Sequence, residues 1–206
     1  TEEGLYTCLI RNPHWQPERL THGRADICFL RDASETEGKI RRTPMTKEEV
    51  REVSICKLNL TQNAVVYDIG SGTGSVAIEI AGVPGGVQVY AIERKPEAVE
   101  LLRKNREHFH MDNIQIIEAP APEGLEELPV PTHAFIGGSG GRLLDILQTL
   151  YRKNPHMRIV INAISMETIA EFKEVLDTFP VEEEEILQMQ VSRVKKLLSY
   201  HLPQAE

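Results

Sequence analysis

The sequence predicts an α/β fold built on a parallel sheet, and three observations carry that expectation. From about residue 64 onward, short β-branched runs alternate with longer segments of helical period, the pattern of strands joined by covering helices. A glycine cluster, Asp68-Ile69-Gly70-Ser71-Gly72-Thr73-Gly74-Ser75, stands where the first run gives way to a helical segment. Glu93 closes the second run nineteen residues after Gly74, where a doubly wound fold places an acid to hold a ribose.

In chain order, Thr1 to Ile10 reads as containing a strand, Pro13 and Pro17 interrupt the next stretch, and Asp32 to Gly38 reads as a flexible polar loop. Thr46 to Leu60 reads as a helix, with Thr46 as N-cap, Glu49 completing a capping box, and Val50, Val53 and Leu58 on an apolar face. Strands are expected at Ala64 to Ile69, Val87 to Ile92, Ile114 to Glu118, His133 to Ile136 and Met157 to Asn162, with a last one near Val181 to Val191. Pro96 suits the first turn of a helix continued by Glu97 to His108. A further helix runs from an N-cap at Ser165 to Phe179, with Ile169, Phe172, Val175, Leu176 and Phe179 on one face. The run Glu182 to Glu185 reads as solvated edge sequence.

Composition narrows the class. The 206 residues carry a net charge of −8, are 41% hydrophobic and 26% charged, and so suit a globular domain rather than a disordered or collagen-like chain. That length fits one domain, residues 39–206, behind a linker or arm, residues 1–38. No apolar run approaches the ~20 residues of a membrane span and no signal-peptide core is present, so a cytoplasmic location is expected. Cys8, Cys28 and Cys56 lack zinc or disulfide spacing and read as reduced and structural; the histidines likewise show no metal spacing. The acidic balance argues against nucleic-acid phosphates as a ligand.

At a strand-to-helix turn, Gly70, Gly72 and Gly74 let the backbone approach a ligand at the positive end of a helix. A glycine turn alone also suits plain packing; Glu93 at the next strand end favours a nucleotide-like ligand. The dinucleotide fingerprint needs a third glycine where this chain has Ser75, which disfavours NAD. Asp68-x-Gly-x-Gly-x-Gly followed by Glu93 resembles the motif pair of class I S-adenosylmethionine-dependent methyltransferases. That resemblance implies a Rossmann-like sheet with helices on both faces, the loop Gly70, Ser71, Gly72, Thr73 and Gly74 passing the methionine moiety, and Glu93 on the ribose.

The resemblance narrows further. Thr43-Pro44-Met45-Thr46-Lys47-Glu48-Glu49-Val50-Arg51, Asp68 to Ser75, Ala121-Pro122-Glu123 and Phe135-Ile136-Gly137-Gly138-Ser139-Gly140-Gly141 are similar to successive motifs of the decarboxylating methyltransferases of cobalamin biosynthesis. It implies methylation at C15 of a precorrin-6 type ring with loss of the C12 acetate carboxyl, and a homotetramer. The capped helix start beside Pro44 places Thr46 towards the cofactor, and Gly137 to Gly141, with Gly138 and Ser139, stand at the carboxyl end of the sheet where a planar ring or the methyl donor can lie against backbone. Thr1 to Leu20 resembles the linker of the bifunctional form, implying that the chain is the C-terminal part of a fusion with a C5-methyltransferase domain. The family's closing antiparallel strand does not follow Gln204-Ala205-Glu206, which would leave a sheet edge exposed. Ala119-Pro120-Ala121-Pro122 replaces the usual Gly-Asp-Ala-Pro, and Thr132 replaces an aspartate, so adenine contacts are expected from backbone or Ala121.

A ring bearing several carboxylates needs local positive charge. Lys39 to Lys57 holds six basic residues against three acidic ones, and Arg31, Lys39, Arg41, Arg42 and Lys47, with Arg193 from the far end, are the expected carboxylate partners. No catalytic base is assigned, because methyl transfer depends mainly on alignment and exclusion of water. Two alternatives stay open: a tRNA methyltransferase of the same fold and a noncatalytic S-adenosylmethionine-binding domain.

Overall fold

Alternation along the central strands sets the architecture. In this computed structural model the described residues are 21–31, 33–36, 39–197 and 200–205; of residues 33–36, 39–42, 177, 193–197 and 200–205 only the backbone is described. Strands β1 (Ala33–Thr36) and β2 (Lys39–Arg42) form an antiparallel hairpin and lead into helix α1 (Glu48–Leu58). Then β3 (Val65–Ile69), α2 (Ser75–Ala81), β4 (Gln88–Glu93), α3 (Pro96–His108), β5 (Ile114–Glu118), β6 (His133–Ile136), α4 (Leu143–Lys153), β7 (Arg158–Ile161) and α5 (Met166–Thr178) succeed one another. A second antiparallel hairpin, β8 (Ser192–Leu197) and β9 (Tyr200–Ala205), ends the described chain.

The five central strands are parallel, in the order β5-β4-β3-β6-β7. Val66 and Phe135 bury into one face against α1 and α2, whereas Tyr67, Ile69, Ala134 and Ile136 bury into the other against α4 and α5. Helices therefore cover both faces, as parallel strands require. Phe29, ahead of β1 in the chain, joins the first of these clusters, a burial worth about 2 kcal/mol. Among the described residues no helix is long and apolar enough to cross a membrane.

Four local expectations are corrected. Part of the supposed polar loop at 32–38 is strand β1, because Ala33 to Thr36 pair in register with Arg42 to Lys39. Helix α1 starts at Glu48 with Lys47 as its N-cap and has no side-chain cap, so Thr46 does not cap it. The cause is Arg51: its guanidinium takes the Thr46 carbonyl, while its backbone N–H closes the first helical turn onto Lys47. Residues 181–191 form no strand; Glu183 sits at φ 55°, and Glu183 and Glu185 pair with Arg158 and Lys57, so side chains rather than a ladder hold this stretch. Cys28 and Cys56 are exposed, hence not core residues, and carry free thiols. The strand expected within Thr1 to Ile10, and Cys8, lie outside the described residues.

Candidate active site

Strand order reverses at β3, whose neighbours are β4 on one side and β6 on the other, and the carboxyl ends of these strands frame a crevice. Hydrogen bonds past the strand ends fix its floor: Gly70 and Ser71 donate to the Ile92 carbonyl (3.0 and 3.1 Å), and Gly137 donates to that of Ile69 (2.9 Å). Gly70 has φ 74°, and a Cβ there would lie 2.6 Å from the Gly138 carbonyl oxygen. The two glycine loops thus touch backbone to backbone, which only glycine allows.

Asp68 is fully buried beneath the loop. Its Oδ2 accepts from Ser71 Oγ (2.6 Å) and from the Ala77 N–H (3.1 Å) in the first turn of α2, while Oδ1 has no partner among the described residues. Burial raises its pKa to about 7 against the opposing pull of those two hydrogen bonds, and the Glu93 charge adds to the rise. At the end of β4, Glu93 Oε1 accepts from the Arg94 and Lys95 N–H groups, and Oε2 accepts from Gly72 N–H, each at 2.9 Å. A carboxylate accepts about four hydrogen bonds, so among the described residues one position remains, on Oε2.

Pro44 to Lys47 forms a lip over the first loop; a Cβ on Gly72 would lie 3.2 Å from the Pro44 carbonyl oxygen. Two arginines hold the lip from behind. Arg51 Nη1 donates to the Thr46 carbonyl (2.6 Å) and to Asp26 (3.1 Å), and Arg31 Nη2 donates to the Thr43 carbonyl (3.3 Å). Together the loops and lip enclose a cleft of about 490 Å³.

A family model described as a precorrin methyltransferase domain matches residues 40–204. The chain belongs to that family. It is 43% identical over 133 residues to a probable cobalt-precorrin-6B C(15)-methyltransferase (decarboxylating) of Sulfurisphaera tokodaii, covering 64% of this chain and 69% of that one. A solved precorrin-6y C5,15-methyltransferase from Geobacter metallireducens superposes with TM-score 0.77 at 32% identity, covering 90% of this chain and 93% of that one. A solved precorrin 8w decarboxylase from Methanobacterium thermoautotrophicum gives TM-score 0.78 at 31% identity, with coverage of 89% and 94%. The class I methyltransferase architecture is thereby established for this chain.

In this precorrin methyltransferase domain, Thr46, Lys47, Asp68, Gly70, Ser71, Gly72, Glu93, Ala121, Gly138 and Ser139 all line the one cleft. Thr73 and Gly74 do not. Thr73 is buried with its carbonyl bonded to Asn105 Nδ2 (2.9 Å), and Gly74 turns at φ 78° tightly against the Leu102 side chain, so both shape the loop from behind. Arg31 also lies outside the lining, and Lys47 faces Asp26 at 3.7 Å. The side chains of Lys39, Arg41, Arg42 and Arg193 lie outside the described residues, although their backbones fall in β2 and β8. Ser139 Oγ donates to Glu171 Oε2 on α5 (3.2 Å).

Among the cleft residues that reading the sequence missed are Arg94, Lys95, Asn162 and Ile164. Each lies one to three residues past the end of β4 or β7, so the rule that ligands bind beyond strand carboxyl ends was the available signal. Among the described residues no group of three or more acids, histidines or cysteines could hold a metal ion.

Proposed function

We propose that this chain transfers a methyl group from S-adenosylmethionine to C15 of a precorrin-6 type tetrapyrrole and removes the C12 acetate carboxyl, a step of cobalamin biosynthesis. The observation that carries the reading is the Gly72 to Glu93 hydrogen bond, which joins the glycine loop and the strand-end acid in a single cleft of a precorrin methyltransferase domain. The cleft suits the cofactor. Asp68 Oδ1 is a buried acceptor without a partner among the described residues, suited to a cation; Glu93 keeps one acceptor position for a ribose hydroxyl; Ala119, Pro120 and Ala121 offer an apolar wall to adenine.

S-adenosylmethionine, when bound, supplies an electrophilic methyl on a sulfonium. Ionised Asp68 would stabilise positive charge from below the loop, and Met45, Ile69, Ile92 and Phe135 keep water from the reacting atoms. Alignment of donor and acceptor then supplies most of the rate, without a protein nucleophile. Loss of carbon dioxide draws on the macrocycle as an electron sink. Lys39, Arg41, Arg42, Lys47 and Arg193, with Gly138 and Ser139, are proposed to receive the ring and its carboxylates, and charge complementarity supports this, whereas Arg31 supports the lip from behind. The reading extends to a cytoplasmic homotetramer, joined in the bifunctional form to a C5-methyltransferase domain; the resemblance supports it, and sedimentation equilibrium tests the assembly.

Methyl transfer from S-adenosylmethionine to purified tetrapyrrole and to bulk tRNA, measured side by side, tests the substrate class. Methylated, decarboxylated tetrapyrrole is expected; transfer to tRNA alone would overturn the reading, and no transfer to either would favour a binding domain.

The raised pKa of Asp68 gives a second expected result. A cationic ligand binds the carboxylate form, so affinity for S-adenosylmethionine should rise as pH climbs through about 7. For the free protein the sign is opposite. Folding raises this pKa from 3.8, so its stabilising contribution is fullest below that value and is lost as pH rises through about 7. Asp68→Asn should flatten both trends in calorimetry and thermal melts; an unchanged pH dependence of binding would exclude Asp68 as its source.

A further inference from the structure

Four cations line the cleft: Lys47, Arg94, Lys95 and Arg142. Two are engaged, Lys47 with Asp26 (3.7 Å) and Arg142 with Glu123 (2.5 Å) and Asp145 (3.3 Å). Arg94 and Lys95 are exposed, and their side chains have no hydrogen-bond or ion-pair partner among the described residues. Arg94 is further singled out by its position. From the end of β4 its guanidinium reaches the loop after β6, where a Cβ on Gly140 would meet Nη1 at 3.2 Å and Cζ and Nη2 at 3.4 Å. Three nearly equal distances mean that the plane lies flat against Gly140, at a residue with φ 62°. Packing uses one face of the plane and leaves the edge, with its N–H donors, free for a planar anion.

The geometry points to a carboxylate subsite at Arg94: we propose that its guanidinium, backed by Gly140, binds a carboxylate of a ligand held in the cleft. This deepens the methyltransfer reading and rests on it. Two ligands of that reaction carry carboxylates, the methionine end of the cofactor and the periphery of the tetrapyrrole. The guanidinium fork matches either, and among the described residues Arg94 has no carboxylate of its own to displace.

Calorimetry with S-adenosylhomocysteine and with 5′-methylthioadenosine, which lacks the carboxylate, separates the two sources when combined with the tetrapyrrole KM. Arg94→Met should weaken one carboxylate-bearing ligand by about tenfold or more, leave 5′-methylthioadenosine within about twofold, and leave the melting temperature unchanged because Arg94 is exposed. Loss confined to S-adenosylhomocysteine assigns the cofactor carboxylate; loss confined to the tetrapyrrole KM assigns the substrate. Arg94→Lys should recover only part of the loss, a point charge replacing a fork. Gly140→Ala should weaken the same ligand in the native background and add nothing beside Arg94→Met; an equal loss in both backgrounds would overturn the role given to Gly140. Wild-type protein that binds S-adenosylhomocysteine while Arg94→Met binds every ligand as well would overturn the subsite alone. Wild-type protein that binds neither nucleoside overturns the methyltransfer reading on which it rests.

Discussion

Replacing Arg51 with methionine is expected to destabilise the folded chain by about 3 to 5 kcal/mol, the cost of removing one partner from a buried charged network. Arg51 is 0% exposed, and its guanidinium makes hydrogen bonds to Asp26, to the Thr46 carbonyl and to the Arg24 carbonyl. It also stacks 4.7 Å above the Phe29 ring centroid, and its Nε lies 3.6 Å from Glu79, itself fully buried. Methionine would fill the space but leave two carbonyls without a donor. Glu79 would keep Arg24, whose Nη1 is 2.9 Å away and whose backbone N–H also donates to it, which places the loss within that range and not above it. Against a typical total of about 5 to 15 kcal/mol, this is a large share. Urea denaturation measures it, and a loss below about 1 kcal/mol would show that the network behaves as a solvated surface one. Cofactor affinity should fall too, because the Thr46 carbonyl that Arg51 holds belongs to the lip.

Arg51 also shows why part of the site was legible in the sequence and part was not. Regular elements advertise themselves by repetition: Ile114–Glu118 and His133–Ile136 occur where the β-branched runs stand, and Pro96–His108 begins on its proline. The glycine loop and Glu93 are likewise local signals, set by a turn and a strand end. By contrast, α1 carries Arg51 and Ser54 on its buried face beside Ile55 and Leu58, so no apolar stripe marks that face. Its inward orientation depends on Asp26 and Glu79, which are 25 and 28 positions away in sequence. The strand expected near Val181 to Val191 fails for a similar reason, since exposed acids in that stretch pair with Lys57 and Arg158 on other elements. Arg94 escapes notice because its significance lies in which backbone it rests upon, a relation between the ends of β4 and β6. Periodicity reports the faces of elements; it does not report pairs of charges or loops that meet only after folding.

A comparison of two glycine substitutions separates the folding requirements of the cleft from its ligand requirements. Gly70→Ala should cost about 2 to 4 kcal/mol of stability, combining a left-handed φ with a forced clash. The atoms its Cβ would meet are backbone, Gly138 O at 2.6 Å and N at 2.9 Å, so relief requires the loops after β3 and β6 to part. That movement opens the cleft floor, and cofactor binding should fall with stability. At Gly138 the expectation differs, because an added Cβ meets nothing within 4 Å although the residue lines the cleft. Gly138→Ala should therefore melt within about 0.5 kcal/mol of the native protein, as substitutions free of a clash do, while a methyl group enters the space assigned to cofactor or ring. A tenfold or greater fall in affinity, or in kcat/KM for the tetrapyrrole, with unchanged stability is about 1.4 kcal/mol of lost ligand interaction. If Gly138→Ala instead unfolds the protein, the Gly70 and Gly138 loops serve one packing purpose; if it alters neither property, the ligands lie elsewhere along the cleft, nearer Asn162 and Ile164.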